Sequence, residues 1–283
     1  MCGVAHLADR YETYRKKRLI SAGISIAVLL VVLIAGLMSG VGGTRKTPPE
    51  TDAEIPVPQV TALPENVSDG TVTRNEGEAF FPSEKNWVYH FTYAYPQVAG
   101  QDYAALMVND TYQMALDEML QLVLPMFANE PAMRYDGKNE VHHDFEVMCN
   151  NGRFLSILQK KSQTRGEEGT FLSLESLTFD MSGEYLGESL TLRGVVMVGD
   201  STDQIAAALL PHIYAEFVQL QEKGICKKDV DRETFEIEFS PAIHFYADEN
   251  GNAVFYLPPS LMETPSFQTH VFVYSPEELE KLL

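Results

Sequence analysis

Residues 141–163 read VHHDFEVMCNNGRFLSILQKKSQ. Two runs of strand character, Val141–Met148 and Arg153–Gln163, flank the turn Asn150-Asn151-Gly152. Asn-Gly between such runs signals a β-hairpin, because the favoured tight turn needs left-handed backbone that Asn and Gly accept. Working outward, Thr170–Asp180 reads as a further strand, closed by the turn Met181-Ser182-Gly183-Glu184. Upstream, Trp87–Pro96 (WVYHFTYAYP) is rich in aromatic and β-branched residues and reads as a strand that Pro96 should end.

Between these strands, Tyr103–Phe127 carries apolar residues at helical spacing, among them Leu106, Val108, Tyr112, Met119, Leu120 and Val123, behind an N-cap candidate, Asp102. Residues 201–222 give a second long helix. Ser201 or Thr202 caps it, Ile205, Leu209, Ile213, Phe217 and Leu220 share one face, and Gly224 stops it. The chain then returns to strands: Ile243–Ala247 and Ala253–Leu257 flank Glu249-Asn250-Gly251-Asn252, and His270–Tyr274 follows. Ser275-Pro276-Glu277-Glu278 opens a short last helix, with Pro at its first position. Strands and helices segregate, so the class is α+β, mainly antiparallel, with two long helices.

The N-terminal stretch has another character. Leu19–Val41 reads LISAGISIAVLLVVLIAGLMSGV without a charge. It is long enough to span a bilayer, which takes about 20 apolar residues. The block Arg15-Lys16-Lys17-Arg18 precedes it, which places the N-terminus in the cytoplasm. The run exceeds the ~7–15 residues of a signal-peptide core, which favours an uncleaved anchor, although Ser39, Gly40 and Gly42 are small residues of the type signal peptidase accepts and make this the candidate protease cleavage region. The expected organisation is a cytoplasmic tail (1–18), a transmembrane helix (19–41), a Pro-rich, unfolded linker (42–85), and an extracytoplasmic domain with an N-terminal half (86–185) and a C-terminal half (186–283).

The 283 residues hold 21 Lys or Arg and 40 Asp or Glu, a formal net charge of −19. Residues 44–283 carry 16 basic and 38 acidic side chains, a net of −22. Such a surface repels nucleic acid and attracts cationic partners, so no nucleic-acid partner is expected.

Catalytic patterns are missing where chemistry would need them. There is no HExxH, no Gly-x-Ser-x-Gly, no Walker loop and no GxGxxG. No catalytic residue, metal or cofactor is assigned. His142 and His143 are adjacent, so on a strand they point to opposite faces, one to the surface and one to the core. Glu167-Glu168 and Glu236-Glu238 are carboxylate pairs of the kind glycosidases use, but they read as a solvated face in so acidic a chain. Asn109-Asp110-Thr111 matches a glycosylation acceptor. Cys149 and Cys226 form an even pair outside the membrane, which leaves a disulfide open to them.

The order of features carries a resemblance. Tyr95-Pro96-Gln97, Val108-Asn109, Leu155-Ser156-Ile157 and Leu177-Thr178-Phe179-Asp180-Met181-Ser182-Gly183 are followed by Phe245-Tyr246, Asn250-Gly251, Val254-Phe255-Tyr256 and Val271–Leu279. Over residues 86–283 this resembles the ectodomain of RsiV-type anti-sigma factors, a paired domain that also accompanies PdaC-type peptidoglycan deacetylases. The deacetylase domain itself is absent. The resemblance implies an envelope sensor that holds a sigma factor through its cytoplasmic tail and binds lysozyme outside. A cationic envelope ligand suits the charge, and Glu167, Glu168 and Asp248 are its candidate contacts. The alternatives are a cell-wall-associated binding module without signalling and an envelope hydrolase.

Overall fold

A computed structural model describes residues 72–129 and 137–283. The tail, the apolar segment Leu19–Val41, the cleavage region Ser39, Gly40 and Gly42, and most of the linker lie outside these residues. Among the described residues no helix is long and apolar enough to cross a membrane.

The first strand, β1 (Val72–Phe81), begins inside the stretch expected to be linker. It pairs antiparallel with β2 (Tyr89–Val98) at all ten positions, Val72 with Val98 through Phe81 with Tyr89. Its charged face hid it: Arg74, Glu76 and Glu78 alternate with positions that turn toward the core side, which Phe81 closes. A strand needs only one apolar face when the other meets water. Pro96 does not end β2 but sits within it, opposite Arg74. The pairing of β2 with its other neighbour stops at Tyr93, so Pro96 lies on an edge-like stretch where its missing N–H costs little.

Asp102 caps α1 (Tyr103–Glu118), its carboxylate accepting from Ala105 N at 2.9 Å. The helical run covers the expected Tyr103–Phe127 and continues to Asn129, but its middle turn, Met119–Val123, is a π-turn before α2 (Leu124–Asn129). Pro125 supplies the reason: it has no N–H for the ordinary ladder, and its ring crowds the preceding turn, which the wider π-turn relieves. Ala105, Val108, Tyr112, Leu116, Leu120 and Leu124 form one buried stripe against the sheet, while Leu106 points outward.

The helix carries the chain back, so β3 (Asn139–Asn150) pairs parallel to β2, from Tyr89 with Asn139 to Tyr93 with His143. The hairpin of β3 and β4 (Phe154–Arg165) forms as the sequence indicates. Gly152 takes φ +83°, and Asn151 Oδ1 accepts from Phe154 N at 2.8 Å. β5 (Thr170–Asp180) completes a five-stranded sheet in sequence order, antiparallel except at β2–β3.

One face of this sheet (Phe91, Tyr95, Ile157, Phe179) packs on α1. Part of the opposite face (Leu158, Leu174) meets Tyr246, Val254 and Tyr256 of a second sheet. That sheet is β6 (Phe245–Ala247), β7 (Ala253–Tyr256) and β8 (Val271–Tyr274), antiparallel in that order. The β6 edge is met by hydroxyls of β5: Ser176 Oγ donates to Phe245 O, and Thr178 Oγ1 accepts from Ala247 N at 3.2 Å. Helices cover the far face of the second sheet: α3 (Leu192–Val196), α4 (Thr202–Glu222), α5 (Arg232–Glu238) and α6 (Pro276–Leu282). Ile205, Leu209, Ile213 and Phe217 of α4 are fully buried with Phe235, Phe255 and Phe272. Each such side chain contributes about 1.5–3 kcal/mol by leaving water. Both α4 and α6 start on the expected serines, Ser201 accepting from Gln204 N and Ser275 forming a capping box with Glu278. The architecture is α+β, with helix, five-stranded sheet, three-stranded sheet and helices stacked in that order.

Candidate binding surfaces

The histidines settle on opposite faces. His142 is exposed and lies 2.8 Å from Thr92 Oγ1 through Nδ1. His143 is buried, with Nδ1 2.8 Å from Tyr95 Oη and its ring edge-on to Phe91 at 5.0 Å. Burial, then the ammonium of Lys161, then His142 depress its pKa to about 3. Burial first, then the Glu175 charge, raise that of Tyr95. The phenol therefore keeps its proton and the imidazole stays neutral, an arrangement satisfied when Tyr95 donates to Nδ1. So weak a base does no general-base work near neutral pH.

A cleft of about 300 Å³ opens between the π-turn and the ends of β3–β5, with His143, Lys161, Arg165, Met119, Phe127 and Phe171 among its walls. Its cations are committed: Lys161 pairs with Glu175, and the Arg165 guanidinium lies 4.4 Å above the Phe171 ring. Among the described residues no group of three or more His, Cys, Asp or Glu is placed to hold a metal ion.

The expected ligand-binding acids are not brought together. Glu167 and Glu168 are exposed in the tight turn between β4 and β5. Asp248 lies in the β6–β7 turn, where its carboxylate accepts from the backbone N–H of Asn250 and Asn252, both at 2.9 Å, and from the Asn252 amide. That turn adjoins the β3–β4 turn, since Asn151 Nδ2 donates to Glu249 O. The two places are therefore at opposite ends of β4, about 35 Å apart at 3.3 Å per residue. Asp248 builds its own turn, and Glu167 and Glu168 remain free surface charges.

Cys149 and Cys226 are free thiols, both buried in the same core. A register shift between Val147 and Cys149 turns Cys149 to that side of the sheet. Burial pushes both thiols up to about 11, which removes nucleophilic character at neutral pH. Glu236 pairs with Arg232 and Glu238 accepts from Ser260 Oγ at 2.8 Å, so the pair points apart as i, i+2 positions on a helix must.

The motifs that carry the family resemblance do structural work. Asn109 bridges both polar groups of Val98, accepting from its N–H at 2.7 Å and donating to its carbonyl at 2.8 Å. This fixes the end of β2 to α1 and commits the amide that a glycan would need. Buried Asp180 accepts from Gly183 N at 2.6 Å and Tyr185 N at 2.9 Å. A Cβ on Gly183 would stand 2.4 Å from Asp180 Oδ2, so only glycine fits the turn.

The surface feature that sequence reading passed over is the outer edge of β8. A groove of about 460 Å³ runs along it, lined by Glu216, Val271, Val273, Tyr274, Glu278 and Lys281, among others. The alternation Val-Phe-Val-Tyr announces a strand but not its place in the sheet.

No family model matches the chain, and no curated protein matches it. Two solved neighbours are DUF3298 proteins. The chain is similar to a DUF3298 family member from Bacteroides fragilis, with 13% identity, a TM-score of 0.44, and 74% of this chain and 91% of that one covered. It is also similar to a DUF3298 family protein from Pseudomonas aeruginosa, with 15% identity, a TM-score of 0.35, and coverage of 53% and 72%. At these levels the likeness carries no functional argument.

Proposed function

We propose that the protein is a membrane-anchored extracytoplasmic binding protein of the sensor type, which recognises a cationic protein ligand and is not an enzyme. The observation that carries this reading is the distribution of charge. Several of the basic side chains that the fold places are paired within the chain. Arg74 is held between Glu76 and Asp144, Lys160 by Glu146, Lys161 by Glu175 and Arg232 by Glu236, and Lys138 lies 4.2 Å above the Trp87 ring. The acids outnumber them and stay at the surface, as Glu216, Glu233, Glu277 and Glu280 do. Net negative potential of this kind steers a cationic partner and suppresses anionic ones. The uncharged segment Leu19–Val41 behind a basic block supports the anchor and its orientation. In the finer form of the reading, the ligand is lysozyme or another cationic envelope protein, and residues 1–18 hold a sigma factor in the manner of RsiV-type proteins.

The test is titration of the detergent-solubilised full chain with lysozyme by calorimetry at low and at physiological salt. Saturable binding at physiological salt is expected. Binding that disappears between the two conditions would reduce the attraction to screened, nonspecific charge and overturn the reading.

A further inference from the structure

We infer that the free edge of β8 is a docking strand for an extended basic segment of a partner protein, which adds itself as a fourth strand with alternating apolar and cationic side chains. The inference rests on the cationic-ligand reading and gives it a place and a geometry.

Backbone direction decides which groups are free. Leu257 N donates to His270 O at 3.0 Å, and Tyr256 N donates away from β8, to His244 O at 3.1 Å. In an antiparallel ladder bonded pairs alternate. Phe272 and Tyr274 therefore bond inward to β7, opposite Phe255 and Ala253, while Val271 and Val273 turn N–H and C=O outward. Among the described residues no hydrogen-bond partner takes up these four groups. The opposite edge of the sheet differs, since it lies against β5, where Ser176 takes up Phe245 O and Thr178 takes up Ala247 N, two of its four outward groups. An exposed row of this kind is a template for another strand. Its length is set at one end by Ser275, whose N–H donates to Glu278 Oε2 at 2.8 Å and is closed to a partner.

Side chains decide what the strand should look like. Val271 and Val273 share a face with Val254 and Tyr256, which the five-stranded sheet covers. The two valines project past that cover and are 42% and 53% exposed. On the other face, Tyr274 donates to Glu216 at 3.3 Å, with Glu278 and Lys281 beside it and Glu277 and Glu280 on the same helix. An added strand would lay apolar side chains beside the valines and extend the intervening ones toward Glu216 and Glu278. Charge then selects the occupant. Residues 201–283 hold fourteen acidic against five basic side chains, so a second copy brings like charge to the groove, whereas a basic segment is complemented.

The experiment uses the full chain in detergent micelles and two probes, lysozyme and a capped seven-residue peptide of alternating valine and lysine, with a peptide of the same composition in blocks as control. Expected are saturable binding of the alternating peptide, at least tenfold weaker binding of the block peptide, and slowed amide exchange at Val271 and Val273 on binding. Val273→Pro removes an outward donor and leaves both β7 rungs in place. It should weaken alternating-peptide binding at least tenfold with a native circular dichroism spectrum, and Glu216→Lys should do the same. Unchanged binding in both variants overturns the edge site. If lysozyme binds the parent and both variants alike while the alternating peptide binds none of the three, the edge is refuted and the cationic-ligand reading stands. If neither probe binds the parent chain, both fail. Protection of Val271 and Val273 without peptide, or concentration-dependent dimerisation lost in Val273→Pro, assigns the edge to another segment of this chain or to a second copy and overturns the proposal.

Discussion

Acid should destabilise this fold through His143 in a way that one substitution removes. The imidazole is buried between Tyr95 and Phe91 and ionises at about 3, against about 6.5 in an unfolded chain. Between these values the unfolded chain holds a proton that the native state lacks, so stability rises with pH across the window and falls as pH drops through it. Integrating from pH 7.5, the group removes about 2 kcal/mol by pH 5 and about 3 kcal/mol by pH 4. For a domain of this size 2 kcal/mol corresponds to about 4–8 °C in Tm. His143→Gln keeps a polar group for Tyr95 and cannot titrate. It forfeits the edge-on contact with Phe91, a pH-independent cost of about 1 kcal/mol. Urea unfolding of parent and variant at several pH values between 7.5 and 4.5 isolates the effect, because every other titrating group appears in both. The difference in stability should narrow and change sign as pH falls. Parallel profiles, within about 0.5 kcal/mol over the range, would show that His143 is not held neutral and would refute the reasoning.

Asp180→Ala should cost about 3–5 kcal/mol in urea unfolding, since it strips two short amide bonds to a buried carboxylate, and Asp180→Asn should fall between it and the parent. Asn109→Ala should cost about 2 kcal/mol, from two bonds that tie β2 to α1, measured the same way. Iodoacetamide at pH 7.5 should leave Cys149 and Cys226 unmodified in the native chain and label both in urea, as peptide mapping by mass spectrometry would show, because thiols near 11 are only about 0.03% thiolate there.

Local signals in the sequence translated directly. The Asn151-Gly152 turn, the caps Asp102, Ser201 and Ser275, and the split of His142 from His143 all depend on residues within a few positions of one another, and the structure has each. What stayed hidden depends on distant neighbours. β1 is a strand because β2 lies along it, and no window of VTRNEGEAFF reveals that partner. The parallel pairing of β2 with β3 follows from the return path of the helix, not from either strand. The site was less legible than the fold. Asp248 looked like an available carboxylate, yet it is taken up by its own turn. The β8 edge carries the same alternation an interior strand would. Only strand order separates the two.

The β2–β3 pairing also shapes how the chain folds. Strands β1 and β2 are joined by a connection of a few residues, and β3, β4 and β5 by tight turns, so each group closes short loops at small entropic cost. The two groups meet along five rungs only, and those rungs wait for the long helical excursion between them. The large sheet is thus two ribbons of local contacts joined by one short seam of long-range ones. The last of its rungs joins Tyr93 to His143, one turn of the pleat from Tyr95. A chain that parts at this seam exposes His143 to water and removes the burial that holds its pKa at about 3, so opening there would show as a return toward ordinary imidazole titration.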